Sequence, residues 1–113
     1  HLPADDEAPL VAFEALCLED PHTAWRAIDD RLARGTLGAR LRLLAAAAGH
    51  DLDIATIMAR EIVAQPPIDP AHLRDAQSIE ALPRGRALPR EVRWERLRAL
   101  LPELVRFVLT RRS

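Results

Sequence analysis

Residues 36–65, TLGARLRLLAAAAGHDLDIATIMAREIVAQ, read as two helices joined by one turn, and that reading sets the fold class. Leu37, Leu41, Leu44 and Ala48 recur at the spacing of one helix face. Thr36 is placed to cap the first turn, and Gly49 to end the helix. Asp51 or Asp53 then caps a second helix, which Pro66-Pro67 closes after about Gln65. In this second helix Leu52, Ile54, Ala55, Ile57, Met58, Ala59, Ile62, Val63 and Ala64 leave a narrow strip for Asp53, Thr56, Arg60 and Glu61. A helix apolar almost all round is expected to be enclosed, either by its neighbours or by another subunit.

Working outward, the same punctuation continues in both directions. Pro9 suits the first turn of a helix reaching Leu18, whose Leu10, Val11, Phe13, Leu16, Cys17 and Leu18 again exceed one stripe. Asp20 or Thr23 caps the next, with Trp25, Ile28 and Leu32 on one face until Gly35. Towards the C-terminus, a short helix lies between Asp69-Pro70 and Pro83, and a long one begins near Pro89 with Trp94, Leu97, Leu101, Leu104 and Val108 on one stripe. That stripe stays in phase across Pro102, which favours one kinked helix over two separate ones. No segment alternates as a strand would. The expectation is therefore an all-α chain: a compact bundle of five to six short helices, possible as a helical-hairpin array, with residues 1–8 as a linker or extension and 9–113 as the domain.

Ala and Leu supply most of the 49% apolar residues, with four aromatics and no Tyr, a composition suited to closely packed helices. At 113 residues the core is modest. The near-neutral net charge of -1 hides a polarised chain. Residues 1–30 hold eight acids against Arg26, a charge of -7, while residues 83–113 hold nine arginines against three acids, a charge of +6. Opposite patches of this kind can meet within one chain, between two copies, or on an outside partner. No apolar run approaches the roughly 20 residues that span a bilayer, and Cys17 has no second cysteine to pair with. The expected setting is cytoplasmic, without a membrane.

Catalytic signatures are missing from the sequence: it has no phosphate-binding glycine loop, nucleophile elbow or dinucleotide fingerprint, and its four glycines fall at or near expected helix ends and turns. The chain is read as a non-enzyme without cofactor. The favoured function is a small protein-protein interaction module, an adaptor, regulatory or accessory subunit that associates with itself. Its interface anchors are expected among Phe13, Leu16, Trp25 and Trp94, rimmed by Arg90, Arg93 and Arg96. A first alternative is a small nucleic-acid-binding regulator that clamps phosphates with Arg84, Arg86, Arg90 and Arg93 around a turn and a helix start. Against it, the arginines of the terminal helix scatter around its circumference instead of lining one side. A second alternative is a histidine-ligated metal or cofactor protein, with His50 beside Asp51 and Asp53, and with Cys17 and His22 as further ligands if the helix ends converge. The spacing lacks the histidine pairs of familiar zinc sites, so no metal ligand is assigned from sequence.

Overall fold

Three aspartates set the frame of the molecule. In the computed structural model, which describes residues 7–111, Asp20 accepts from the Thr23 amide, Asp51 from the Ile54 amide and Asp69 from the Ala71 amide. Each satisfies one of the free donors of a helix start, and the helices they open are α2 (Pro21–Ala27), α4 (Leu52–Ala64) and α5 (Pro70–Glu80). The others are α1 (Ala8–Cys17), α3 (Thr36–Ala45), α6 (Arg90–Ala99) and α7 (Leu101–Arg111). A 3-10 turn at Leu32–Arg34 precedes α3, and a wide turn at Ala46–His50 follows it. In that turn Gly49 has φ +135°, a backbone region that L side chains rarely adopt. Among the described residues there is no strand.

The all-α expectation is met, and several details differ. The second helix stops at Ala27, where Ile28 turns extended, so its apolar run reaches Gly35 through the 3-10 turn. Thr36 is the first residue of α3, and Gly35 precedes it without a side-chain cap. The terminal helix is divided at Leu100, so Pro102 falls in the first turn of α7, where its missing amide donor costs nothing. Of the expected extension 1–8, residues 1–6 lie outside the described residues, and Ala8 already belongs to α1 with Ala8 and Pro9 buried. The two helical hairpins, α1–α2 and α4–α5, differ in helix length.

The enclosed helix is α3. It packs against α1, α2, α4 and α5, and Gly38, Arg40, Leu41, Leu43, Leu44 and Ala45 are all buried. By contrast α4 buries Ala55 and Ala59, while Ile54 and Ile57 face outward. Around α3 the core is built largely of small residues: eleven of the twenty-one buried apolar side chains among the described residues are alanine. Gly38 belongs to this close packing, because a Cβ there would run into the Leu32 carbonyl of the 3-10 turn. It lies in the first turn of α3, near the helix start. The chain between α5 and α6 is tied to the same centre by the Leu88 amide, which donates to the Ala47 carbonyl at 2.8 Å.

Within the core sits a charged triad. Asp75 of α5 accepts from Arg40 Nε of α3 at 2.9 Å and from Arg96 Nε of α6 at 2.5 Å, and all three residues are buried. Arg96 also donates to the Ala71 carbonyl. One carboxylate thus joins three helices.

Candidate interaction surface

The face that remains uncovered belongs to α7. Leu100 is fully buried, and Leu104 fixes α7 to the body as its one buried residue among those described. The other large apolar residues of the helix have no such cover. Leu101 is 46% exposed, Val105 56% and Leu109 64%, and their spacing of four residues places them along one side of the helix. Phe107 and Val108 are half-buried. On α6, Trp94 adds an indole that is 37% exposed. An apolar stripe that continues over two turns of one helix differs from scattered single exposures, which every soluble protein carries. Glu103 and Arg106 accompany it as an ion pair at 3.4 Å.

The residues singled out by sequence separate into different environments. Leu16, expected as an anchor, is a core residue at 1% exposure, because α1 turns that side towards α2 and α3. Arg96, expected at the rim, is held inside by Asp75. Phe13 is half-buried against the core. Trp25 is partly covered by its neighbours: the His50 ring stacks on it at 4.8 Å, and the Arg42 guanidinium lies over it at 4.2 Å. Arg42 is in turn held by Asp30 at 2.7 Å. Trp94 is the member of the expected anchor set with the most open surface.

Of the four arginines assigned to a phosphate clamp, Arg84 and Arg86 are exposed on the turn after α5. Arg93 is committed to Glu19 at 2.7 Å, and Arg90 approaches the same carboxylate oxygen at 3.6 Å. These pairs join the acidic and basic thirds within one chain. Glu19 reaches them from a left-handed backbone, φ 60°, at the end of α1, where the Asp20 amide closes the helix on the Ala15 carbonyl. Arg84 also borders a hollow of about 540 Å³ between α4 and α5, lined by Asp53, Ile57, Arg60 and Glu80 among others. Two acids and two arginines there leave no single sign of charge.

The helix ends that carry His22 and His50 do converge. Their Nδ1 atoms are 2.9 Å apart across twenty-eight residues of sequence. Burial holds His50 below the usual histidine range; the His22 charge adds to this, Asp51 opposes it, and Arg26 and Arg42 reinforce it. His72, on α5, is lowered for the same leading reason, burial, with Asp75 and Asp69 opposing and Arg40 assisting. Cys17 is half-buried, and burial together with Glu14 raises its thiol, so it is poorly suited to act as a thiolate. No group of three or more His, Cys, Asp or Glu residues that could hold a metal ion occurs among the described residues. Nor, among those residues, is any helix long and apolar enough to cross a membrane.

Sequence reasoning placed Leu101 on an inward stripe with Leu97 and Leu104, and it did not single out Val105 or Leu109 as surface. The signal was present in the excess of apolar positions on α7, since Leu101, Leu104, Val105, Phe107, Val108 and Leu109 cover more than one stripe. No family model matches the chain, and neither a curated protein nor a solved structure is found to be similar to it.

Proposed function

We propose that this protein is a self-associating helical interaction module whose contact element is α7, with Trp94 at its border. The observation that carries the reading is the exposed line Leu101, Val105 and Leu109 on a helix anchored to the body by Leu104. Fully burying a side chain of this size contributes about 1.5–3 kcal/mol, so pairing two such helices supplies a driving force without large surface elsewhere. A two-fold arrangement brings the same face of each copy together and closes the assembly as a dimer. The module would then serve as a regulatory or accessory part, joining whatever its two copies are attached to.

Light scattering on the native chain tests this. The expected mass is that of a dimer, and because Arg90 and Arg93 already pair with Glu19 within the chain and the contact face is apolar, that mass should hold from low to high salt. Val105→Glu combined with Leu109→Glu should weaken association by at least about 100-fold, a loss of about 2.7 kcal/mol, with the helical circular dichroism unchanged. A wild-type chain that stays monomeric at millimolar concentration sinks the reading.

A further inference from the structure

His22 lies in the first turn of α2, and His50 closes the wide turn after α3. The two imidazole rings meet edge on, with centroids 5.1 Å apart and planes at 71°. His50 is not a free side chain. Its ring stacks on Trp25 with planes 18° apart, Trp25 is capped by Arg42, and Arg42 is fixed by Asp30. One imidazole is thereby pre-oriented, while His22 stands exposed beside it.

In the metal-free protein one Nδ1–H must donate to the lone pair of the other Nδ1, since two lone pairs or two protons at 2.9 Å would repel. The contact therefore requires at least one ring with an unprotonated Nδ1, which is also the form that binds a metal ion. Geometry restricts which ion. With metal–nitrogen bonds of about 2.0–2.1 Å, two nitrogens 2.9 Å apart subtend an angle of about 90° at the metal. A tetrahedral angle would need the nitrogens at about 3.3 Å with the same bond lengths. The existing separation suits adjacent positions of a square or tetragonal centre, the preference of Cu2+ and Ni2+ with nitrogen and oxygen ligands.

We propose that His22 and His50 form a two-imidazole binding site for a divalent late first-row transition metal ion, Cu2+ in preference to Zn2+. The ion displaces the shared proton and lies to one side of the line between the two Nδ1 atoms, with each ring turned to aim its lone pair at it, and water fills its remaining equatorial positions. The lowered proton affinity of His50 acts in the same direction, because it reduces competition from protons near neutral pH. Arg26 and Arg42 contribute to that lowering and also repel the ion, so the site is selective for a metal that bonds strongly to imidazole rather than for cations in general.

Trp25 supplies the readout. The parent chain for the test carries His1→Ala, to remove a competing imidazole, and Trp94→Phe, which leaves Trp25 as the only tryptophan. Titration with copper sulfate is expected to quench Trp25 emission through the stacked His50 ring, with an end point of one ion per chain, and a chelator should restore it. Electron paramagnetic resonance of the copper form should show two nitrogen ligands. His22→Ala, at an exposed position, should weaken the midpoint by more than the about 10–100-fold that losing an outer-shell partner of a ligand costs, and His50→Ala should do the same. An unquenched parent chain, or a His22→Ala chain that folds and titrates like the parent, overturns the proposal. If His50→Ala does not fold, the His22→Ala result decides the matter by itself.

Discussion

Asp75→Asn is expected to lower the stability of the fold by about 3–5 kcal/mol, the usual effect of leaving a buried charge without its partner. Asparagine keeps the shape of the side chain and removes its charge. Arg40 and Arg96, both buried, would then face each other across a neutral amide at distances now held to 2.9 and 2.5 Å by the carboxylate. Arg40 Nη2 is already a buried donor without a hydrogen-bond partner in the protein, so losing the carboxylate adds to an existing deficit. For a domain whose whole stability is about 5–15 kcal/mol, this is a large fraction. Urea unfolding followed by circular dichroism measures it as a fall in midpoint. Arg96→Met provides the contrast: it leaves the Arg40–Asp75 pair intact and neutral overall, so a smaller loss than that of Asp75→Asn is expected. If Asp75→Asn loses under about 1 kcal/mol, the triad is not the tie between α3, α5 and α6 that its geometry indicates.

Gly38→Ala is expected to destabilise by about 2–3 kcal/mol, although alanine is intrinsically the better helix former by about 1 kcal/mol. The added methyl would overlap the Leu32 carbonyl oxygen and stand 2.8 Å from its carbon. Both are backbone atoms, so no rotamer change relieves the contact, and the 3-10 turn must move away from α3. Gly35→Ala is the matched control. Its new methyl would meet nothing nearer than 3.8 Å, at an ordinary φ of -81°, and a change within about 0.5 kcal/mol is expected. Thermal unfolding of the two variants side by side checks the pair, and equal melting temperatures would show that the turn yields freely.

Both predictions concern α3, and α3 is also where the sequence was hardest to read. The helix boundaries were legible because they depend on local chemistry: the Asp20, Asp51 and Asp69 caps, with Pro21 and Pro70 following two of them. The order of burial was not legible, because an arginine in a helix ordinarily marks a solvated face. Arg40 hid the central position of α3, and its partner Asp75 lies thirty-five residues away, beyond any spacing rule. Without that partner in view, the more uniformly apolar α4 looked like the enclosed helix. The same limit applies to Arg96, which local sequence could not separate from its exposed neighbours Arg90 and Arg98. At the candidate surface, Trp94 was singled out from sequence and Val105 and Leu109 were not. The stripe rule assigns apolar residues to a core, and only the split at Leu100 with the single fixing point at Leu104 turns the rest of α7 outward. The meeting of His22 with His50 was conceivable from sequence only as a condition on helix ends converging.

The alanine-built core also decides how this sequence can change. At the eleven buried alanines, truncation has almost nothing to remove, so the familiar damage of large-to-small substitution is confined to the buried leucines and isoleucines. The costly direction is growth, since each added methyl must find room between helix backbones already in close approach. Mutational tolerance is therefore asymmetric: buried sites accept little besides glycine or serine, at the cost of helix propensity, and sequence drift is displaced to the outer faces. A core of this kind holds its helix spacing constant across generations while the surfaces that meet other molecules remain free to diversify.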